Sequence, residues 1–170
     1  MNELGRNSVP SAAGEPAAAL SLLLVDDEET FRRLTARELT KSGYAVTDAG
    51  TLDEARHALA NQHFQLVVLD VRLPDGNGLD LLREIREASP ITEVVLLTAY
   101  GTVQEAIRAM KEGAHDFLTK PCKLGELEAV LEKAAEKQTL RRGHAALQRD
   151  VDRLGPGLNF IGQSTQIREM

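Results

Sequence analysis

The chain has 170 residues, a formal net charge of −6 and a single cysteine, Cys122. That length suits one domain of ordinary size plus extra segments, and 42% hydrophobic with 27% charged residues is typical of a globular protein rather than a disordered or membrane-embedded one. The acidic balance argues against nucleic-acid binding through this chain, because phosphate contacts need a basic face. One cysteine excludes an intrachain disulfide and fits a reducing compartment.

The first 19 residues are rich in Ala, Gly, Pro and Ser and predict a disordered leader over 1–19. An apolar run at 16–25 is too short to span a bilayer. It ends in four acidic residues instead of a small-residue cleavage site, which argues against a signal peptide. We therefore expect a cytoplasmic protein without a membrane segment.

Short apolar runs then alternate with helical patterns along the chain. Strands are predicted at 20–25, 44–49, 66–69, 94–97 and 115–118, and helices at 29–41, 51–61, 79–88 and 103–112. Continuous apolar strands separated by helices indicate a parallel sheet covered on both faces. The prediction is an α/β, doubly wound, five-stranded parallel sheet of the flavodoxin-like order 2-1-3-4-5.

A long polar helix is predicted at 124–154, before the Gly-Pro-Gly that follows it. One stripe of this helix is expected to dock on the sheet: Leu127, Leu131, Ala134 and Gln138. A second stripe has heptad spacing, as in a coiled coil: Leu140, His144, Leu147, Val151 and Leu154. The alternative is that the second stripe also lies on its own domain.

Polar residues follow the predicted strands at the points where the strands end. Asp26 and Asp27 follow the first strand, Asp70 the third, Thr98 closes the fourth and Lys120 follows the fifth. In a doubly wound sheet, ligands bind beyond the carboxyl ends of the strands, where the strand order reverses. These separate positions are therefore expected to meet in one crevice.

Three carboxylates in one crevice repel each other, by ~4 kcal/mol for a pair at ~4 Å and an effective dielectric of 20. Either one of them is protonated or a cation lies among them. Oxygen ligands with room for water favour Mg²⁺, which would leave Asp70 able to attack phosphorus. Lys120 would supply a positive charge for the phosphoryl group, and the Thr98 hydroxyl a hydrogen-bond donor.

The segments "LLLVDDEE", "LVVLDVRLPDGNGLDLL" and "VVLLTAYGTVQEAIRAMKEGAHDFLTKP" resemble the receiver domain of two-component response regulators. The resemblance implies that Asp70 is phosphorylated by a sensor histidine kinase. It implies Mg²⁺ bound by Asp26, Asp27, Asp70 and the backbone carbonyl of Arg72. A receiver of this kind is a phosphoacceptor and not an enzyme with its own substrate.

The resemblance also implies a switch. Thr98 and Lys120 would sense the phosphoryl group, and Lys120 would be joined to Pro121 by a cis peptide. Phe117 occupies the switch-aromatic position. Tyr100, two residues after Thr98, either caps its loop or is a switch residue that changes with Phe117. The output face would run from the fourth helix through the fifth strand to the fifth helix, and would form a homodimer together with the linker helix.

The last 13 residues, "LNFIGQSTQIREM", resemble the start of the AAA+ ATPase domain of sigma-54-dependent activators. We therefore expect a receiver at 20–138, a helical linker with a possible coiled coil at 139–157, and the beginning of a truncated ATPase domain at 158–170. No phosphate-binding loop motif occurs in the sequence. Contacts with sigma-54 RNA polymerase and DNA would be made only by domains absent from this chain.

Three other classes of protein fit the sequence less well. A haloacid-dehalogenase-type phosphatase would need a second acid two residues after Asp70, where Arg72 stands. A flavodoxin-like nucleotide binder would need a phosphate loop after the first strand, where Asp26 and Asp27 would repel phosphate. The third class, a receiver-like interaction module that is never phosphorylated, would have no need for the acidic pocket or for Thr98 and Lys120.

Overall fold

The computed structural model describes residues 18–154. Five parallel strands form one sheet in the order β2-β1-β3-β4-β5, as predicted. The strands are β1 (Ser21–Val25), β2 (Ala45–Ala49), β3 (Leu66–Leu69), β4 (Glu93–Thr98) and β5 (Asp116–Thr119). The helices are α1 (Glu29–Lys41), α2 (Leu52–Asn61), α3 (Gly78–Ala88), α4 (Val103–Lys111) and α5 (Leu124–Leu154).

Most strand boundaries differ from the predicted ones by one residue. The fourth strand begins at Glu93 rather than at residue 94, and the fifth begins at Asp116 rather than at residue 115. One short element was not predicted: Arg72–Leu73 pairs antiparallel with Gly76–Asn77. It escapes prediction because two-residue strands carry no periodicity.

Side chains of the central strands alternate between two hydrophobic clusters, one on each face of the sheet. Leu23, Val67 and Leu96 face the cluster that α2 and α3 complete. Leu22 and Val68 face the other cluster, which α1 and α5 complete. The alternation follows from the two-residue period of a strand, and burial on both faces is the arrangement expected of a parallel sheet.

Local signals in the sequence account for the helix boundaries. The Thr51 side chain accepts a hydrogen bond from the Glu54 N–H at the start of α2, and Thr102 and Glu105 form a reciprocal capping box on α4. The turn that closes α1 contains Gly43 with φ 100°, a conformation that glycine adopts without strain. The Thr51 and Thr102 caps lie in loops at the carboxyl edge of the sheet, whereas the Gly43 turn precedes β2 at the amino edge.

Helix α5 has two differently placed stripes, as its sequence indicated. Leu127, Leu131, Ala134 and Gln138 are buried against the sheet. In the second stripe, Leu140, Leu147, Val151 and Leu154 are between 50% and 67% exposed. The alternative that this second stripe packs on its own domain is therefore wrong for the described residues. The predicted leader at 1–19, apart from residues 18 and 19, and the predicted ATPase segment at 158–170 lie outside the described part of the chain.

Candidate functional site

Three carboxylates converge at the carboxyl edge of the sheet, between β1 and β3. Asp26 and Asp70 are buried, whereas Asp27 is exposed. One carboxylate oxygen of each of the three lies within 4.8 Å of the others. The crevice forms where the strand order reverses, because β1 and β3 are neighbours and their crossover helices lie on opposite faces. The sequence prediction that these residues meet is confirmed.

The Lys120 ammonium enters the same crevice from the end of β5. It bonds to Asp26 Oδ2 and lies 3.4 Å from Asp70 Oδ2. Burial lowers the pKa of Lys120, but the hydrogen bond and the negative charge of Asp26, with the charge of Asp70, outweigh this effect and raise the pKa above its ordinary value. Lys120 is therefore protonated at neutral pH and compensates part of the negative charge. The Lys120–Pro121 peptide is cis, as predicted.

Neighbouring groups favour the charged form of the Asp70 carboxyl, but burial disfavours that form more strongly. Its Oδ1 accepts a hydrogen bond from the Arg72 N–H at 3.2 Å. Burial raises the pKa of Asp70, and the Arg72 N–H and the Lys120 charge oppose that rise without cancelling it. The negative charge of the buried Asp70 carboxylate is therefore incompletely compensated, and a further cation would stabilise it.

The donor set of the crevice fits Mg²⁺ better than a softer metal. The ligand atoms available within the cluster are carboxylate oxygens only, and Mg²⁺ takes oxygen ligands, few of them from protein. The three carboxylates face one ammonium, so the crevice retains negative charge that a divalent cation would neutralise. An acidic cluster of this kind in a receiver is typical of an Mg²⁺ site.

Thr98 and the predicted switch residues lie on one side of the crevice. Thr98 is buried, and its hydroxyl accepts a weak 3.4 Å bond from the Tyr100 N–H. The Tyr100 ring is 67% exposed and lies under the Arg72 guanidinium, 5.2 Å from guanidinium carbon to ring centroid. The Phe117 ring is half-buried and occupies the space that a side chain at Gly101 would need. Thr98, Tyr100 and Phe117 are thus close in space along a path from the crevice to α4.

Gly78, the first residue of α3, packs directly against the backbone of Asp70. A Cβ atom at Gly78 would lie 2.2 Å from the Asp70 carbonyl oxygen, well inside van der Waals contact. The Gly78 N–H donates to the Val71 carbonyl at 2.6 Å. The absence of a side chain at Gly78 therefore allows α3 to begin directly against the backbone of the Asp70 loop.

Three further residues support the crevice and were not identified from the sequence. Asp75 accepts hydrogen bonds from the N–H groups of Leu52 and Asp53 at 2.8 and 3.0 Å, which ties the loop after β3 to the start of α2. Arg32 donates to the Asp26 carbonyl at 2.7 Å.

The third of these residues is Phe31, whose ring lies under the Lys120 ammonium with 4.2 Å to the centroid. The Asp75 and Phe31 contacts join residues far apart in the sequence, so no local pattern could have indicated them, whereas Arg32 lies only six residues after Asp26.

The fold and the crevice define a class of protein: a flavodoxin-like α/β domain with an acidic site at its topological switch point. Residues 22–132 match the response regulator receiver domain, and the chain belongs to that family. The response regulator receiver is a regulatory domain and not an enzyme in the usual sense.

Curated and solved relatives agree with this assignment. The response regulator protein PilR of Pseudomonas aeruginosa is 45% identical over 112 residues, which cover 66% of this chain and 25% of PilR. The crystal structure of NtrX from Brucella abortus with ATP superposes with a TM-score of 0.71 at 36% identity, covering 76% of this chain and 30% of NtrX.

The solution structure of the beryllofluoride-activated NtrC4 receiver domain dimer superposes with a TM-score of 0.67 at 36% identity, covering 69% of this chain and 98% of that chain. The predicted resemblance to receivers of sigma-54-type regulators is confirmed. The chain spans about a quarter of the length of PilR. Among residues 18–154, no helix has both the length and the apolar character needed to cross a membrane.

Proposed function

We propose that the chain is a phospho-switch in which Asp70 accepts a phosphoryl group from a sensor histidine kinase. The observation that carries the proposal is the environment of Asp70. This carboxylate is buried at a strand end, 3.4 Å from the Lys120 ammonium and within 4.8 Å of two other carboxylates. A buried structural aspartate needs only cations beside it, whereas a nucleophile that receives a phosphoryl group also needs neighbouring carboxylates that hold a divalent cation.

In the proposed reaction, an oxygen of Asp70 forms a bond to phosphorus and the nitrogen–phosphorus bond of the kinase phosphohistidine breaks. The histidine nitrogen leaves with the bonding electron pair, and the acyl phosphate remains on Asp70. Lys120 pairs with the phosphoryl oxygens, and the Thr98 hydroxyl donates a hydrogen bond to one of them. Asp26, Asp27, Asp70 and the Arg72 carbonyl would hold Mg²⁺, which supplies charge neutralisation when bound.

The phosphoryl group would act by shifting a population between two arrangements. Bonding of the Thr98 hydroxyl to the phosphoryl group would replace its weak contact with the Tyr100 N–H. Phe117 would then turn inward, and Tyr100 would leave its position under Arg72. The surface that responds is the output face, formed by α4, β5 and the first part of α5.

The output face carries exposed apolar side chains suited to a homodimer. Val103, Ile107 and Met110 on α4 are 77%, 51% and 47% exposed. Contiguous exposed apolar surface of this kind marks interaction sites. The similar NtrC4 receiver is described as a dimer in its beryllofluoride-activated form. By analogy, this face and the exposed heptad stripe of α5 would form the dimer of this chain.

We extend the proposal to the whole regulator as follows. Residues 1–19 form a leader, 20–138 the receiver, 139–157 the linker and 158–170 the start of an ATPase domain. Phosphorylation would change dimer geometry and so control a cytoplasmic sigma-54-dependent activator, whose contacts with polymerase and DNA lie in further domains. The alternative is a receiver-like interaction module that is never phosphorylated.

Intact-protein mass spectrometry after incubation with acetyl phosphate tests the phosphoacceptor. Wild type should gain one phosphoryl adduct that requires Mg²⁺, is stable in acid and is labile in base. Asp70→Asn should gain none, and Asp80→Asn, an exposed aspartate on α3, serves as the matched control that should label like wild type. An unlabelled wild type would favour the interaction module instead.

Light scattering tests the coiled-coil part of the dimer. Leu147→Asp combined with Val151→Asp places charges in the heptad seam and should dissociate the dimer. Ala146→Asp combined with Arg149→Asp changes the same helix away from the seam and should leave the mass unchanged. A dimer that survives the seam substitutions would contradict the coiled coil but not the phosphorylation of Asp70.

A further inference from the structure

A further buried carboxylate lies at the amino edge of the sheet, opposite the acidic crevice. Glu93 is the first residue of β4, the strand that ends with Thr98 at the opposite edge. The Glu93 side chain is only 1% exposed, and neither of its carboxylate oxygens accepts a well-aligned hydrogen bond from the described residues. A buried charge of this kind is unfavourable unless cations lie close to it.

Cationic side chains surround Glu93, and two of them belong to α5. Arg141 Nη1 lies 2.9 Å from Glu93 Oε1, and Lys137 Nζ lies 3.7 Å from Oε2. Lys137 and Arg141 are four residues apart, so they project from the same side of the helix. Arg141 also donates to the Pro90 carbonyl at 3.3 Å, which adds a contact to the loop before β4.

The other two groups come from the body of the domain. His115 Nδ1 lies 3.7 Å from Glu93 Oε2, and the Arg86 guanidinium donates to the Thr92 carbonyl at 2.5 Å, beside Glu93. Burial lowers the pKa of His115 more than the Glu93 charge raises it, so His115 contributes less positive charge than the α5 side chains. Arg86 stays charged, as arginines do, so Glu93 is compensated both by Arg86 of the domain body and by Lys137 and Arg141 of α5.

We propose that Glu93, Lys137 and Arg141 form an ionic anchor that fixes the first part of α5 to the sheet. Up to Ala134 the helix is held by apolar contacts, and Gln138 is its last buried residue. The anchor extends the attachment to Arg141, which lies about two helical turns beyond Ala134, the last buried apolar residue of the helix.

The anchor also fixes the rotation of the helix about its axis. Leu140, next to Arg141, is 67% exposed and begins the heptad stripe. Because successive helix residues are ~100° apart, holding Arg141 against Glu93 determines the direction in which the stripe faces. The anchor would thus set the orientation of the receiver relative to whatever packs on the stripe. This inference concerns the attachment of α5 and does not depend on phosphorylation.

Amide hydrogen exchange of the full chain without a phosphoryl donor tests the anchor. Glu93→Gln and Arg141→Gln should each speed exchange of the α5 amides at 138–145 by roughly tenfold, since each leaves charges uncompensated. The double variant should exchange no faster than the faster single variant, because the two side chains act as one unit. Exchange of the β1 and β3 amides should remain unchanged.

Arg142→Gln provides the matched control, since Arg142 carries the same charge one residue further on and has no ion pair among the described residues. It should change exchange by less than about twofold, as an ordinary surface substitution does. Equal effects of Arg141→Gln and Arg142→Gln would overturn the anchor. So would additive effects in the double variant. Arg141 is partly exposed, so its variant remains informative even if Glu93→Gln fails to fold.

Discussion

The two edges of the sheet differ in how the charge of their buried carboxylates is compensated. Each edge buries carboxylate charge: Asp26 and Asp70 at the carboxyl edge, and Glu93 at the amino edge. At the amino edge, cations of the chain itself outnumber the carboxylate, because Lys137 and Arg141 reach it from α5. At the carboxyl edge, one ammonium, that of Lys120, faces three carboxylates.

This difference in charge compensation distinguishes a structural ion cluster from a site that binds a cation. A carboxylate whose neighbours supply enough positive charge holds two parts of a protein together and needs no ligand. A group of carboxylates with a charge deficit has affinity for a divalent cation and, through it, for phosphoryl oxygens. The pKa of Asp70, raised by burial, agrees with a deficit at the carboxyl edge.

The largest expected effect comes from removing Lys120. Lys120→Gln leaves the buried carboxylates without their ammonium partner, which should cost about 3 kcal/mol of unfolding free energy in a chelator, the lower end of the range for breaking a buried pair. Mg²⁺ should restore most of this loss by binding the native state. Thermal unfolding with chelator and with Mg²⁺ measures both values.

Two control variants test whether the stability loss and its rescue by Mg²⁺ are specific to the carboxyl edge. Lys123→Gln removes an exposed lysine from the same segment and should change stability little. Arg141→Gln acts at the amino edge, and Mg²⁺ should not rescue it. Equal rescue of Lys120→Gln and Arg141→Gln by Mg²⁺ would show that the two edges do not differ in the way described.

A smaller effect is expected from filling the space at Gly78. Gly78→Ala puts a methyl group against the Asp70 carbonyl oxygen, a main-chain atom that cannot rotate away. The substitution should cost about 2 kcal/mol of unfolding free energy and slow labelling of Asp70 by acetyl phosphate. Denaturant unfolding and mass spectrometry measure the two effects.

Gly143→Ala is the matched control for that substitution, because nothing lies within 4 Å of the added methyl group. Gly143 is inside α5, so alanine should stabilise that helix by about 0.5–1 kcal/mol and leave labelling unchanged. If Gly78→Ala labels as fast as wild type, the close contact between α3 and the Asp70 loop does not control the site.

The smallest effect should come from Asp75, which ties the site loop to α2. Its bonds to the Leu52 and Asp53 N–H groups hold the pKa of Asp75 below the ordinary value of 3.8. A lowered pKa stabilises the folded state above the unfolded-state pKa, and the benefit is lost as the pH falls through the folded-state pKa. Asp75→Asn should therefore be slightly less stable than wild type at pH 7, and the difference should shrink below pH 4.

Melting temperatures measured between pH 7 and pH 2 check the Asp75 prediction. Asp152→Asn is a suitable control, because this carboxylate is exposed on α5 and forms no ion pair among residues 18–154. A stability difference between Asp75→Asn and wild type that is constant with pH would show that charge is not the cause.

How far the sequence predicts this protein depends on the range of each interaction. The strand and helix pattern was readable because two- and 3.6-residue periods are local properties of the chain. The positions of Asp26, Asp70 and Lys120 were readable because residues at the carboxyl ends of parallel strands must share one edge. The roles of these residues in phosphorylation remain predictions, as do the limits of the domains.

The parallel sheet, the acidic crevice and the two stripes of α5 could be predicted before the structure, since each is encoded by spacing along the chain. Two contacts became visible only in the folded protein: Asp75 caps α2, and Arg141 lies against Glu93. These contacts join side chains brought together by packing of the helices on the sheet. Glu93 reads in the sequence as a single polar residue before an apolar strand, and its partners 44 and 48 residues later are visible only once α5 is docked.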